Sequence, residues 1–136
     1  MAKLLGRAEI LGKDDRTYQD VKIREWGGTV RVQSLTGSER DQWEEACQEQ
    51  RGKDKIFSTK QLREKLLSYC LVDADGKKLF SEGDIGLLAD KNAAALTRLF
   101  DAARKLNAIG AQDVEDLVGN SEAVQDGSSI SASPES

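Results

Sequence analysis

Apolar residues recur every three or four positions between Asn92 and Asn107, and this spacing predicts the strongest helix of the chain. The residues on its apolar face are Ala95, Leu96, Leu99, Phe100, Ala103 and Leu106. A shorter helix is predicted just before it, where Ser81 is a candidate N-cap. The apolar positions of that shorter helix are Ile85, Leu87 and Leu88. Residues 81–107 are therefore expected to be mainly helical.

Two capping-box sequences predict two further helices in the middle of the chain. Thr36 is followed three residues later by Glu39, and Ser58 is followed three residues later by Gln61. In a capping box, both side chains bind backbone amides that the first helical turn leaves free. The two helices are expected to extend to about Gln50 and Leu71. Along the first, Arg40, Trp43, Ala46 and Cys47 share a face, and along the second Leu62, Leu66, Tyr69 and Cys70 point inward.

Alternating apolar and polar residues predict a β-hairpin near the start of the chain, with strands at 18–25 and 29–33. Its apolar face carries Val21, Ile23, Val30 and Val32. Gly27 and Gly28 lie between the strands, and both are expected to supply the positive φ that a tight connection requires. Trp26, beside them, either folds over the apolar face or projects as a contact residue.

The remaining segments are less regular. A second, smaller hairpin is predicted around an Asp-Gly turn, with residues 71–72 and 78–80 as its strands. Residues 2–12 fit a short helix or a docked arm, and residues 112–118 fit an acidic turn or helix that presents Val114, Leu117 and Val118. The expected fold is therefore α+β and predominantly α-helical. Its N-terminal two-stranded β-hairpin packs on a small helical bundle, because an isolated hairpin is only marginally stable.

Charge divides the chain into two parts. Residues 1–110 contain all 20 Lys and Arg residues and 18 of the 24 acidic residues, which gives a net charge of +2, whereas the rest of the chain has a net charge of −6. Residues 119–136 are rich in Ser, and Val124 and Ile130 are their large apolar side chains. Such a segment cannot bury enough surface to offset the entropy of ordering. We therefore expect a folded domain at 1–118 and a disordered acidic tail at 119–136.

Composition excludes several classes of function. The chain has no His, which removes the commonest general base and the commonest zinc ligand. Cys47 and Cys70 lie 23 residues apart, and two thiols alone do not complete a structural metal site, so buried free cysteines are expected. Neither a membrane span nor a secretory signal is visible in the sequence. We expect a soluble cytoplasmic protein that is not an enzyme and has no catalytic residue, cofactor or metal site.

Two charged segments invite comparison with known ligand sites. Residues 73–84 resemble a calcium loop, but Lys77 stands at loop position 5 and Asp84 replaces the Glu at position 12, so a turn and an N-cap are favoured. The densest basic segment, 51–65, is interrupted by acidic residues and has one nearby aromatic residue, Phe57. A solvated surface is therefore favoured there over nucleic-acid binding.

Three segments share their order and spacing with a known family. They contain E-W-G-G-T-V-R-V followed by L-T-G-S-E-R-D at 25–41, C-L-V-D-A-D-G-K-K-L-F at 70–80, and A-A-A-L-T-R-L-F-D-A-A at 93–103, which continues to Asn107. Over about residues 8–118 the chain resembles the tail assembly chaperones of bacteriophages with long, non-contractile tails and of related prophages. The residues after Gly119 lie outside the resemblance.

The resemblance implies a chaperone that acts in the cytoplasm of the infected bacterium and is not expected in the mature virion. Such a protein binds the tape measure protein and recruits tail tube subunits around it without a cofactor, and its self-association stays open. The candidate contact residues are Trp26, Trp43, Leu79 and Phe80, although a core position is equally open for Trp43. Two alternatives remain: a small virion protein for tail completion or connection, and a less favoured nucleic-acid-binding regulator that uses residues 51–65.

Overall fold

The computed structural model describes residues 3–110 and Val114, and it has the predicted α+β class. Helix α1 (Arg7–Gly12) has no buried residue. Of the two alternatives for the start of the chain, the structure therefore shows the short helix and not the docked arm.

The first predicted hairpin is confirmed. Strands β1 (Tyr18–Ile23) and β2 (Gly28–Gln33) pair antiparallel, with Val21 opposite Val30. A 3-10 turn at Arg24–Trp26 connects them and ends at Gly27, whose φ of +71° lies in the left-handed region that glycine adopts at little cost. Gly28 has no positive φ and begins β2, so the expectation that both glycines need a positive φ is wrong for Gly28.

Helix α2 (Gly37–Ala46) begins with the predicted capping box. Glu39 N donates to Thr36 Oγ1 at 3.1 Å, and Thr36 N donates to Glu39 Oε1 at 2.9 Å. The predicted extension to Gln50 is wrong, because the helix ends at Ala46 and a second hairpin follows it.

The second hairpin pairs β3 (Gln48–Arg51) with β4 (Asp54–Phe57), and Gly52 turns between them with a φ of +60°. Helix-favouring residues occupy β3, but β4 brings Ile56 and Phe57 into the interior. Burial of these two side chains overrides the local helix propensity.

Helix α3 (Leu62–Cys70) begins later than the sequence predicts. Ser58 does not cap it: Ser58 N donates to Cys47 O at 2.6 Å, and Ser58 Oγ accepts from Lys60 N at 3.1 Å. Ser58 therefore continues the backbone bonding of the second hairpin, and the helix starts only after Gln61, whose φ is +56°.

Strand β5 (Leu71–Val72) pairs antiparallel with β2 and completes a sheet of order β1-β2-β5. The hairpin predicted as two-stranded is thus part of a three-stranded sheet. The small second hairpin of the sequence analysis is also present, since Val72 bridges to Lys78 and Leu79 N donates to Leu71 O at 3.0 Å. A two-residue apolar strand has no periodicity from which its partner could be predicted.

The two C-terminal helices lie where the sequence predicts them, and the predicted cap Ser81 precedes the first of them by way of a short turn. A 3-10 turn at Glu82–Asp84 leads into α4 (Ile85–Ala89), and Ser81 N donates to Asp84 Oδ2 at 2.9 Å. Helix α5 (Ala93–Leu106) starts at Asn92, whose Oδ1 accepts from Ala95 N at 3.0 Å.

The core lies where α3 and α5 pack against each other and against the sheet. Its largest fully buried side chains include Ile23, Val32, Trp43, Leu66, Leu67, Leu71, Leu88, Leu96, Leu99 and Ile109. Two polar side chains connect its layers: Gln33 Nε2 donates to Tyr69 O at 3.0 Å, and Asn107 Oδ1 accepts from Leu35 N at 2.6 Å. The first bond holds the sheet against α3. The second holds the segment between β2 and α2 against the end of α5.

Two predicted segments lie almost entirely outside the described residues. Val114 is half-buried and packs against the core, but the rest of the 112–118 segment is not described. The tail predicted at 119–136 also lies outside the described residues. In residues 3–110, no helix has the length and apolar character needed to cross a membrane.

Candidate protein-binding groove

A groove of about 850 Å³ lies between α2, α3 and the segment from Lys78 to Gly86. Two other cavities on the described part of the chain have volumes of about 340 and 190 Å³. Its walls contain Glu45 and Ala46 of α2, Lys65 and Tyr69 of α3, and Phe80, Glu82, Ile85 and Gly86 of the third wall. We call this cavity the groove.

The apolar part of the groove is built around two half-buried aromatic residues, Tyr69 and Phe80. Both rings also pack against the core, and this packing holds them in position. The Lys78 ammonium lies 4.5 Å from the centre of the Tyr69 ring, which is a cation–π distance. Burial raises the pKa of the Tyr69 hydroxyl, and the nearby Glu82 carboxylate adds to the effect.

The charged residues of the groove differ in what they bind. Lys65 Nζ donates to Ala46 O at 2.9 Å, which satisfies a carbonyl at the C-terminal end of α2. Lys78 is held over Tyr69. The carboxylates of Glu45 and Glu82 are exposed, and neither forms a hydrogen bond or ion pair with another residue among those described. The lining of the groove therefore carries two ammonium and two carboxylate groups, which balance in charge, and the two ammonium groups also make contacts within the domain.

Of the four predicted contact residues, Phe80 lines the groove and Leu79 does not. Leu79 is 46% exposed and, with Val30 and Val72, lines the 340 Å³ cavity beside the sheet. Trp26 is half-buried, sits in the turn of the first hairpin and packs against the core. The fold thus does not bring the predicted contact residues together into one surface.

Trp43 lies in the core, which is the second of the two positions that the sequence left open. Its side chain has no exposed surface, and its Nε1 donates to Leu62 O at 3.2 Å across the α2–α3 interface. Because nothing of the indole reaches the surface, Trp43 acts as a packing residue and a partner cannot touch it without opening the fold.

Both cysteines are buried and free, as predicted. Burial raises the pKa of the Cys47 thiol to about 11 and that of the Cys70 thiol to about 12. Each thiol is therefore protonated at neutral pH and is a poor nucleophile or metal ligand. No group of acidic residues and cysteines in residues 3–110 is arranged to hold a metal ion.

Charged side chains of the calcium-like loop and of the basic segment form hydrogen bonds and ion pairs within the domain. Asp73 Oδ1 accepts from Asp75 N at 2.8 Å and from Lys77 N at 3.0 Å, so its carboxylate closes a turn. In the basic segment, the Arg51 side chain pairs with Glu49 at 3.6 Å and Arg63 pairs with the buried Glu64 at 2.9 Å. The fold divides these basic residues between the second hairpin and α3.

Sequence reasoning missed most of the groove. The helical spacing predicts Tyr69 on the inward face of its helix, and the amphipathic character of tyrosine is the one signal for a partly exposed position. Glu45, Lys65 and Ile85 carry no local signal, because they belong to three separate elements that meet only in the folded chain.

Comparison with known proteins gives consistent results. A family model described as "Phage tail assembly chaperone" matches residues 9–117. Among solved structures, the tail assembly chaperone of bacteriophage HK97 shares this fold with a TM-score of 0.52 and 20% sequence identity, over 78% of this chain and 86% of that chain. No curated protein sequence matches the chain significantly. Since the family model spans most of the chain, this protein belongs to the phage tail assembly chaperone family.

Proposed function

We propose that this chain binds the tape measure protein of its phage and recruits tail tube subunits around it during tail assembly. The family match over residues 9–117 carries the proposal. Membership of a chaperone family indicates a non-enzymatic role with tail proteins as partners. In this role the chain works in the cytoplasm of the infected bacterium and is absent from the finished virion.

The surface of the domain supports a role in protein binding. It combines a groove that has two aromatic residues in its wall with several exposed apolar side chains, among them Leu79. Exposed apolar groups that the domain itself does not cover are typical of surfaces that bind other proteins. Trp26, Leu79 and Phe80 remain the proposed contact residues.

Co-expression tests this proposal. The full chain is produced together with the tape measure protein from the same genome, and the soluble fraction is purified through a tag on the chain. We expect the tape measure protein to change from insoluble to soluble and to co-purify, and the tail tube protein to join the complex when it is added. If the tape measure protein stays aggregated, the tube protein fails to bind and the chain is found in purified virions, a virion structural protein is the better description.

A matched pair of variants identifies the contact surface. Leu79→Lys adds a charge at a proposed contact, whereas Leu87→Lys adds the same charge at a residue that is 68% exposed and not proposed as a contact. Both changes are expected to leave the fold intact because both side chains already meet solvent. Loss of co-purification with Leu79→Lys alone supports Leu79 as a contact, and equal behaviour of the two variants contradicts it.

A further inference from the structure

Strand β1 lies at one edge of the three-stranded sheet. It pairs with β2 on one side, and no strand of the described residues lies on its other side. Next to the first residue pair of the ladder, Ser34 N donates to Thr17 O at 2.8 Å. Because the backbone groups of successive residues in an antiparallel strand point to alternate sides, the odd-numbered residues of β1 bond to β2. The N–H and C=O groups of Tyr18, Asp20 and Lys22 therefore point to the outer edge.

This edge is accessible to another strand. The hydrogen bonds between described residues leave the outward backbone groups of Tyr18, Asp20 and Lys22 unused, and all three side chains are exposed. An edge with unpaired N–H and C=O groups is a template for a further strand, and charged side chains along it decide which strand can add. The charges of Asp20 and Lys22 therefore determine what pairs with β1.

The two edge charges complement those of a second copy of the same strand. Asp20 accepts two hydrogen bonds from Arg31 of β2, at 2.7 and 3.0 Å, and Lys22 forms no ion pair with another described residue. An antiparallel second copy that places its Lys22 opposite Asp20 also places its Asp20 opposite Lys22, because two-fold symmetry makes the contacts reciprocal. Each Asp20 carboxylate then lies between Arg31 of its own chain and Lys22 of the second copy.

The same charges disfavour the neighbouring registers. A shift of two residues in one direction puts Asp20 opposite its own copy, and a shift in the other direction does the same to Lys22. Like charges directly opposite each other destabilise a strand pair. A shift of one residue instead brings outward backbone groups opposite inward ones. In the register that remains, half-buried Val21 lies opposite its own copy at the two-fold axis.

We propose that two copies of this chain pair antiparallel along the outer edges of β1, with Asp20 of each copy opposite Lys22 of the other. The two sheets then join into one sheet with three strands from each copy. Because one short strand from each copy forms the contact, the interface is small and the dimer is weak. This inference does not depend on the proposed function, since it concerns the chain itself and not the tail proteins.

A pair of charge-reversing variants tests the register. Lys22→Glu puts a carboxylate opposite Asp20 of the second copy, and Asp20→Lys puts an ammonium opposite Lys22. Each variant alone should therefore dimerise about tenfold or more weakly than the wild type. A mixture of the two should form a heterodimer, because a carboxylate then meets an ammonium at both contacts. Lys53→Glu makes the same charge change in the exposed turn of the second hairpin and should stay within about twofold of the wild type.

Sedimentation velocity of the full chain measures the dimerisation. Between about 10 µM and about 1 mM, the mass of the wild type should rise from one chain towards two. A fluorescent label on one variant detects the heterodimer in the mixture. All three variants change exposed side chains, and far-UV circular dichroism shows whether each is folded.

Cross-linking tests the register without changing a charge. Opposed residues of a non-hydrogen-bonded pair have Cα atoms about 4.5 Å apart, which lies within the range of a disulfide. In a glutathione redox buffer, Val21→Cys should therefore give a disulfide-linked dimer. Gln19→Cys lies on the same side of the strand and is the control, because Gln19 faces Ile23 of the second copy and should cross-link at least about fivefold less.

Several results would overturn the inference. A wild type that stays a single chain up to about 1 mM would do so, as would a dimer that Lys22→Glu leaves unchanged, which would place the contact on another surface. Absence of a heterodimer in the mixture, or equal cross-linking of Val21→Cys and Gln19→Cys, would rule out this register. If the wild type stays a single chain but Lys22→Glu loses co-purification with the tape measure protein, the edge accepts a strand of that protein and not a second copy.

Discussion

The two hairpins of the domain differ in how they are attached to it. The first hairpin, β1–β2, buries Ile23 and Val32 completely and pairs with β5 along one edge. All four residues of β3 in the second hairpin are exposed, and β4 attaches this hairpin to the main core cluster through Phe57. The first hairpin is therefore part of the core, and the second is an appendage on it.

This difference separates global from local stability. A side chain buried in the core contributes to the free energy of unfolding of the whole domain, whereas an exposed hairpin can open while the core stays folded. Four substitutions or pairs of substitutions test this comparison, and they are ordered by the size of the expected effect.

The largest effect is expected from Ile23→Ala in β1. Ile23 has no exposed surface, so its truncation leaves a cavity, and the free energy of unfolding should fall by about 2–5 kcal/mol. Urea unfolding followed by far-UV circular dichroism measures the change.

Two substitutions at exposed positions are the controls for Ile23→Ala. Lys22→Ala changes the exposed neighbour in the same strand, and Glu49→Ala changes an exposed residue of β3 in the second hairpin. Both should alter the free energy of unfolding by less than about 0.5 kcal/mol. A loss for Glu49→Ala as large as that for Ile23→Ala would contradict the distinction between the hairpins.

The next effect is expected at the turn of the first hairpin. Gly27→Val forces a β-branched residue to a φ of +71°, which should cost about 1–3 kcal/mol. Gly28→Val should be neutral or slightly stabilising, because Gly28 begins a strand and a Cβ there meets no atom within 4 Å. Thermal melting of the two single variants measures the difference in stability. If both variants lose the same amount of stability, Gly28 is constrained as well.

The same contrast explains which elements could be predicted from the sequence. The first hairpin and α5 bury one face each, so their apolar residues follow a period of two or of 3.6. The second hairpin buries side chains only at its end, and β3 reads as a continuation of α2 because its Gln and Glu residues favour helices. Because this segment has no apolar alternation, nothing in the sequence indicates a strand before Gly52.

The groove could not be predicted for a different reason. The sequence predicts Phe80 as a contact residue because it lies on a short hairpin with an apolar edge, and in the structure its side chain lines the groove. The groove itself depends on how α2 and α3 lie beside the segment that contains Phe80, and this packing is a tertiary property. The position of Trp43 was equally undetermined, since a tryptophan on a thinly apolar helix fits the core and the surface alike.

A third, smaller effect is expected in the second hairpin. Gly52→Ala puts a Cβ at a φ of +60°, which should cost about 1 kcal/mol, whereas Gly52→Asn should cost less because Asn tolerates this region. We expect amide hydrogen exchange to speed up at Gln50 and Lys55 in the Ala variant, with little change in β1. Faster exchange throughout the sheet would show that the second hairpin unfolds together with the core.

The first hairpin is also joined to α5 by an ion pair. Arg98 of α5 binds Glu25 in the hairpin turn through two hydrogen bonds, at 2.7 and 3.1 Å. The hydrogen bonds from Arg98 lower the pKa of the Glu25 carboxyl from its ordinary value of 4.5 to about 2. The pair joins residues 73 positions apart, but both side chains are partly exposed, so its contribution is expected to be the smallest of the four.

Arg98→Met tests this pair through its pH dependence. A carboxyl whose pKa is lower in the folded state than in the unfolded state stabilises the fold above the unfolded pKa, and this contribution is lost as the pH falls through the folded value. The wild type should therefore melt slightly above Arg98→Met at neutral pH, and the difference should shrink as the pH falls from about 4.5 towards about 2. Lys91→Met, which removes an exposed charge near the start of α5 where no ion pair is formed with a described residue, is the control. A difference between wild type and Arg98→Met that is the same at every pH would mean that Arg98 acts by packing along α5 and not through the charge of Glu25.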